Sequence, residues 1–317
     1  MTRPVLTVTL NPALDQTILL DHLRVGEVNR ADATMFHAGG KGVNVASCLA
    51  DWDPEGITAA GILGAANQAA FVALFKAKSI VDGFVRVPGE TRTNIKLSHD
   101  GKTTDINLPG LDVLPDTVST LAATVRTLTG PGGLVLLAGS LPEGLMPDVY
   151  PLLAEQVIAR GAHVLVDTSG LPLKAALRGP ILPRAIKPNR EELEAFIGHE
   201  LADDAALLQV ARHLNTRGVE LVVVSLGADG ALFVTAQAVL RVSVPPLRVT
   251  STVGAGDAMM AGMIAGLRED AGLERIARLG TAFAAGKLAH PGANLPPRQD
   301  VEALAARVQI INEYQGG

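Results

Sequence analysis

Apolar and polar positions follow two different rhythms along this chain. The run VLTVTL at residues 5–10 is apolar enough for a first strand and is closed by Asn11 and Pro12. Short alternating segments follow at Gln16–Leu20 and Ala31–His37, which predict strands separated by polar turns. The glycine-rich turn Gly39-Gly40-Lys41-Gly42 leads into a helical pattern over Val43–Trp52. A strand is predicted at Ile57–Leu63 and a helix at Gln68–Lys76. Three further short strands are predicted at Phe84–Val87, Thr93–Ser98 and Thr103–Leu108.

Beyond that point the alternation becomes regular. Helical patterns at Val113–Leu128, Asp148–Arg160 and Asp203–Thr216 precede the apolar runs Leu134–Ala138, Val164–Asp167 and Leu221–Ser225. Helices are predicted at Gly256–Leu267, Leu273–Ala289 and Val301–Ile311. Strands alternating with helices imply right-handed βαβ units and a mostly parallel sheet covered on both faces. The short strands near residues 12–37 and 88–110 break that rhythm and read as a small β appendage, which must pack on the main domain or on a partner.

Composition narrows the field. The 317 residues are 48% hydrophobic and 19% charged, which supports a sizeable core and excludes a disordered chain. With 3% aromatic residues, a net charge of −5 and no dense basic block, a nucleic-acid partner is not expected. The single cysteine, Cys48, excludes an internal disulfide and sits in a helical apolar context that suits packing. The N-terminus lacks a signal-peptide pattern and no long uncharged apolar run suggests a membrane span, so a soluble cytoplasmic protein is expected.

Candidate chemistry lies where the apolar runs end, since ligands of open α/β sheets bind beyond the carboxyl ends of the strands. Gly139-Ser140, Asp167-Thr168, Lys187-Pro188-Asn189 and Ser225 to Gly230 outline a polar rim. The sharpest segment is STVGAGDAMMAG at 251–262, a glycine turn opening a helix. Its backbone N–H groups suit an anion. Asp257 then reads equally as a first-turn acid favoured by the helix dipole or as the acceptor of a hydroxyl proton. In HAGGKGVN at 37–44, Lys41 and Asn44 can meet a phosphate and sugar hydroxyls, although a plain turn with a solvated lysine fits the isolated pattern better. It is not a Walker A loop, because Met35 stands where that motif needs glycine and Gly42 where it needs Ser or Thr. Arg92 opens a short strand and suits either solvent or a bidentate phosphate contact. Asn189 and Glu192 have the spacing of a capping box and equally that of a hydrated-cation site. The dinucleotide fingerprint fails, with Met259 at its last glycine. Metal-ligand spacing is absent among the histidines, while His37 and His290 lie near the candidate segments.

Taken together, GGKGVNVA at 39–46, KPNREEL at 187–193 and STVGAGDAMMAG at 251–262 resemble the signatures of the PfkB (ribokinase-like) sugar kinase family, over nearly the whole chain. TLNPALD at 9–15, GEVNRA at 26–31, ETRTNIKL at 90–97, TTDINLPG at 103–110 and GSLPEG at 139–144 resemble its bacterial sugar-phosphate branch. The resemblance implies a single α/β domain over residues 1–317, a ribokinase-like three-layer sandwich with a small β-sheet lid at about 12–37 and 88–110. It implies transfer of the ATP γ-phosphoryl group to O6 of fructose 1-phosphate, with tagatose 6-phosphate and fructose 6-phosphate as rival acceptors and a silent sugar-phosphate sensor as a rival of another class.

By the same resemblance Asp257 is the base, and Gly254, Ala255 and Gly256 form the anion hole. Asp15, Gly39, Gly40 and Asn44 hold the sugar, while Lys41, Arg92, Arg30 and Ser140 hold its phosphate. Lys187, Asn189, Ser225, Gly227, Gly230 and Thr252 line the ATP site, and Asn189 and Glu192 act on Mg2+ through water. The lid implies a homodimer. An aspartate near its reference pKa of about 3.9 is a weak base, so positioning is expected to matter more than basicity. One departure is Ala258, where the branch commonly has serine.

Overall fold

The computed structural model describes residues 2–100, 102–245, 254–289 and 294–315. Its elements in chain order are β1 (Val5–Thr9), β2 (Ala13–Leu19), β3 (Ala33–Gly39), α1 (Lys41–Trp52), β4 (Ile57–Gly64), α2 (Ala69–Ala77), β5 (Val81–Val87), β6 (Thr93–His99), β7 (Lys102–Asn107), α3 (Pro115–Leu128), β8 (Leu134–Ala138), α4 (Val149–Ile158), β9 (His163–Asp167), α5 (Gly170–Arg178), β10 (Ala185–Ile186), α6 (Arg190–Ile197), α7 (Asp204–Arg217), β11 (Leu221–Ser225), β12 (Ala231–Val234), β13 (Ala238–Ser243), α8 (Ala255–Arg268), α9 (Leu273–Ala289), α10 (Arg298–Arg307) and β14 (Gln309–Gln315).

Among the described residues one sheet has ten strands in the order β14-β13-β12-β11-β10-β9-β8-β1-β4-β5. The strands from β5 to β11 are parallel, and β12, β13 and β14 add an antiparallel edge. Strands β1 and β8 are buried at every position, as uninterrupted apolar runs in a doubly covered sheet must be. Two apolar clusters flank the sheet. One gathers Val43 and Cys48 of α1, Phe71 of α2, Met260 of α8, Phe283 of α9 and Val301 of α10. The other gathers Leu121 of α3, Tyr150 of α4, Leu173 of α5, Leu193 of α6 and Leu207 of α7. The result is three layers, helix on sheet on helix.

The chain runs from β1 outward to β4 and β5, then restarts at β8 on the other side of β1. That reversal opens a crevice at the carboxyl ends of β1, β8 and β9, where such sheets bind ligands. A separate sheet of four strands, in the order β3-β2-β6-β7, grows from the same edge. Strands β2, β6 and β7 fall within the two excursions that broke the sequence rhythm, and β3 runs two residues beyond the first, to Gly39.

One expectation needs correction. The pattern read as one helix over Val301–Ile311 divides into α10, ending at Arg307, and β14, which pairs antiparallel with β13. The edge strands β12 and β13 and helix α5 also went unassigned. Cys48 is fully buried and burial pushes its thiol up to about 12, as a packing residue requires. Among the described residues no helix is long and apolar enough to cross a membrane.

Candidate active site

Helix α8 begins where Gly254 turns the backbone into the left-handed region at φ 80°, a conformation that glycine adopts without strain. The first turn therefore leaves N–H groups without a partner inside the helix, with Asp257 among them. Asn44, from the first turn of α1, donates through Nδ2 to Asp257 Oδ2 at 2.8 Å across 213 residues. Helices α1 and α8 lie in the same layer, and that packing brings their N-terminal ends together. Burial pushes the Asp257 carboxyl up to about 6, with the nearby Asp167 charge adding to the shift; Asn44, Lys41 and Lys187 act in the opposite direction. The expectation of an ordinary, weakly basic aspartate is thus corrected by its surroundings.

Asp167, at the carboxyl end of β9, is the anchor that sequence reasoning did not single out. Its side chain is 1% exposed and takes two lysines, Lys41 Nζ at 2.7 Å and Lys187 Nζ at 3.4 Å. The two ammonium charges hold it below the usual carboxylate range against the opposing effect of burial. Lys41 is raised by this partner despite desolvation. Lys187, itself 6% exposed, borders the α8 turn: a Cβ placed on Gly256 would lie 3.4 Å from its Nζ. Nothing local in the sequence separates Asp167 from an ordinary strand end, because its partners lie 126 residues earlier and on the far side of α5.

On the small-sheet side, Asp15 of β2 packs against Gly39 so closely that a Cβ there would fall 2.8 Å from its Oδ2. Asn94 of β6, a second residue missed from sequence, donates to Asp15 Oδ1 at 3.1 Å. The Arg92 guanidinium reaches the carbonyls of Asn11 at 3.3 Å, Pro12 at 3.4 Å and Leu108 at 3.4 Å. Burial lowers its pKa, and the Asp15 charge opposes that. Asn11 in turn donates to Ser140 Oγ at 3.2 Å, so Asn11 links Arg92 to Ser140. Gly40 precedes α1 at the crevice edge. Arg30 stands apart, exposed in the β2–β3 connection. His37 is exposed on β3 and pairs in register with Asp15.

A cavity of about 830 Å3 opens on the other side of the α8 turn. Asn189, Ser225, Gly227, Gly230 and Gly256 line it, together with the apolar Met259, Ala284 and Leu288. Asn189 and Ser225 bridge in parallel register. Gly230 is fixed by packing, since a Cβ there would fall 1.9 Å from the Val242 carbonyl oxygen. Asn189 and Glu192 form a complete capping box, with Glu192 N donating to Asn189 Oδ1 at 2.7 Å and Asn189 N to Glu192 Oε2 at 3.0 Å. Among the described residues no group of three or more His, Cys, Asp or Glu could cage a metal. One Glu192 oxygen outside the capping box fits a hydrated Mg2+ held mainly by phosphate oxygens, the usual mode for this ion. Ala258 is fully buried in the α8 core face, and Thr252 and His290 lie outside the described residues.

A half-buried carboxylate stands at a helix-start turn near two lysines, and the same turn lines the cleft of about 830 Å3. Such a site suits transfer of a phosphoryl group to a hydroxyl. The chain matches the pfkB family carbohydrate kinase pattern over residues 8–300. It is 49% identical to a 1-phosphofructokinase of Xanthomonas campestris pv. campestris, covering 98% of this chain and 99% of that one. It is 43% identical to a 1-phosphofructokinase of Rhodobacter capsulatus, covering 98% of each. Among solved structures, phosphofructokinase-2 from Escherichia coli in complex with fructose-6-phosphate superposes with a TM-score of 0.88 at 30% identity, over 96% of this chain and 99% of that one. The same enzyme has also been solved as a tetrameric inhibited form. The chain belongs to the pfkB family of carbohydrate kinases, and its fold is the ribokinase-like fold of the phosphofructokinases. It is a kinase that uses ATP on a fructose phosphate.

Proposed function

We propose that this kinase transfers the γ-phosphoryl group of ATP to the O6 hydroxyl of D-fructose 1-phosphate, giving fructose 1,6-bisphosphate. The observation that carries the mechanism is the Asp257 carboxylate, tuned to about 6 and held by Asn44 at the glycine turn. A base poised near neutral pH accepts a hydroxyl proton more effectively than one at the ordinary aspartate value. Asn44 occupies Oδ2, which leaves Oδ1 for the sugar hydroxyl. The N–H groups of Gly254, Ala255 and Gly256 face the place where the transferring group's charge builds up.

The sugar then lies between Asp257 and the small sheet, against Asp15, Gly39, Gly40 and Asn44. Its existing phosphate meets Arg92 and Ser140; Arg30, which stands apart in the β2–β3 connection, would join them only by moving toward the crevice. Lys41, whose side chain is 34% exposed, keeps a face toward the crevice while paired with Asp167. ATP fills the cleft lined by Asn189, Ser225, Gly227 and Gly230, with Lys187 near its terminal phosphates; Thr252, outside the described residues, is assigned to ATP by the sequence resemblance. Asn189 and Glu192 would hold a hydrated Mg2+, which when bound neutralises phosphate charge. The near-full-length identity to enzymes named 1-phosphofructokinase supports this acceptor over tagatose 6-phosphate and fructose 6-phosphate. Steady-state kinetics with each of these acceptors test the choice; a preference for fructose 6-phosphate would overturn it.

Residues 1–317 form one kinase domain in this reading, and the excursions at 12–37 and 88–110 are a lid. The exposed apolar side chains of Met35, Phe36, Ile106 and Leu108 on β3, β7 and the segment after it support a homodimer through the lid. The substrates of the proposed reaction are metabolites of the cytoplasm, where the enzyme would act. Sedimentation of the native chain and of a Phe36→Asp variant tests the dimer; a native monomer would sink it.

A further inference from the structure

Asn94 of β6 commits one end of its amide to Asp15 and leaves the other end without a partner. Its Nδ2 donates to Asp15 Oδ1 at 3.1 Å, while its Oδ1 is buried and accepts no hydrogen bond among the described residues. A carbonyl in that state has given up water with no replacement, a cost that a leucine of similar size would avoid. Asn107 stands directly opposite Asn94 on β7, yet no hydrogen bond joins the two amides among the described residues. What the asparagine supplies here is therefore its donor, and Asp15 receives it.

The Asp15 carboxylate is restrained from two neighbouring strands. On β3, Gly39 leaves so little room that a Cβ would fall 2.8 Å from Asp15 Oδ2 and 3.1 Å from its Cγ. On β6, Asn94 pairs in parallel register with Asp15 and its amide takes Oδ1. No other hydrogen bond to this carboxylate is formed among the described residues, so Oδ2 keeps its lone pairs for a hydroxyl. The Asp15 charge also acts on the Arg92 guanidinium, but the two form no ion pair among the described residues. The guanidinium N–H groups go instead to the carbonyls of Asn11, Pro12 and Leu108. A carboxylate released by Asn94 is free to turn toward that cation, which would take it from the sugar and offset the charge that meets the sugar's phosphate.

We propose that Asn94 is a positioning residue that holds the Asp15 carboxylate in place for a sugar hydroxyl and apart from Arg92. The proposal rests on the assignment of Asp15 to the sugar. Asn94 acts through Asp15 and not by its own contact with substrate. Its effect therefore falls on binding of the sugar phosphate, and not on ATP or on the transfer step.

The test uses intact enzyme, ATP-Mg2+ and fructose 1-phosphate. It compares Asn94→Leu, Asn94→Asp, Asp15→Ala and the double variant of Asn94→Leu with Asp15→Ala. The leucine removes the donor and the unpartnered acceptor together, and the aspartate removes the donor while keeping the shape. Both are expected to raise KM for fructose 1-phosphate about tenfold or more, with KM for ATP within about twofold and kcat within about threefold. Either variant alone decides the matter if the other fails to fold. In the Asp15→Ala background, Asn94→Leu should change the sugar KM by less than about twofold, because its route to the substrate is gone. A folded Asn94 variant with native sugar KM overturns the proposal, whatever its melting temperature. A rise in sugar KM that persists without Asp15 overturns it too. If Asp15→Ala itself raises the sugar KM, these results judge the asparagine alone. An Asp15→Ala enzyme with native sugar KM would overturn the assignment of Asp15 and the asparagine role with it.

Discussion

The amide of Asn44 and the carboxylate of Asp257 meet at 2.8 Å, joining the first turns of α1 and α8. Asn44 sits in the glycine-rich segment that resembles a sugar-binding signature, and Asp257 in the one that resembles a phosphoryl-transfer signature. One hydrogen bond thus fixes the two halves of the site relative to each other. It also favours the ionised form of Asp257 against the burial that disfavours it.

That balance sets the acid side of the rate profile. With Asp257 pushed up to about 6, kcat should rise with pH through that region as the carboxylate ionises, then level off. Removing the Asn44 donor in Asn44→Ala takes away support for the charged form, so the acid limb should move to higher pH. Initial rates from pH 5 to 9 measure both. An acid limb that moves to lower pH in the variant contradicts the role given to the bond.

Asp257→Asn should fold, bind ATP and lose at least a thousandfold in kcat, a scale set by removal of a group acting only in the transition state. Stability gives an independent reading. The folded-state pKa of Asp257 is raised, so the folded protein holds this proton more tightly than the unfolded chain. The resulting penalty is absent below about pH 4, grows as pH rises toward 6 and is full above it. The asparagine variant should therefore melt higher than native at pH 8 and equally at pH 4. A higher melting point at both pH values contradicts the linkage.

Asp167→Asn leaves Lys187 buried beside a neutral partner. Removing one member of a buried ion pair typically destabilises by about 3–5 kcal/mol. Denaturant melts should show a loss of that order, and saturating ATP should offset part of it by bringing phosphates to the lysines. A variant as stable as native would mean that the two lysines do not depend on Asp167.

Arg92→Ala should raise the KM for the sugar phosphate at least tenfold and leave the KM for ATP within about twofold, since its guanidinium lies on the small-sheet side of the crevice. Equal effects on both KM values would place the sugar's phosphate elsewhere.

The sequence made some of this plain and concealed the rest for physical reasons. Strands β1, β8 and β11 are continuous apolar runs because the sheet is covered on both faces, so they are visible without partners. The start of α8 is visible because a glycine turn followed by small residues is a local pattern. The capping box of Asn189 and Glu192 is local too, and so was anticipated in kind; whether it also serves a cation lies beyond any spacing. Strand β14 was hidden because Val301, Leu304, Ala305, Val308 and Ile311 keep a helical period across the break after Arg307. Pairing with β13 overrides that period. Asp167 was hidden because its meaning comes from two lysines on other elements, and Asn94 because its role depends on Asp15 in a neighbouring strand.

The central claim concerns the acceptor, and one measurement addresses it directly. Purified enzyme is supplied with ATP-Mg2+ and, in turn, fructose 1-phosphate, fructose 6-phosphate, tagatose 6-phosphate and fructose, and kcat/KM is compared while the product is identified by NMR. The account predicts the highest kcat/KM for fructose 1-phosphate, by at least tenfold, with the new phosphate on O6. A higher kcat/KM for either 6-phosphate, or no transfer to fructose 1-phosphate at all, would contradict it.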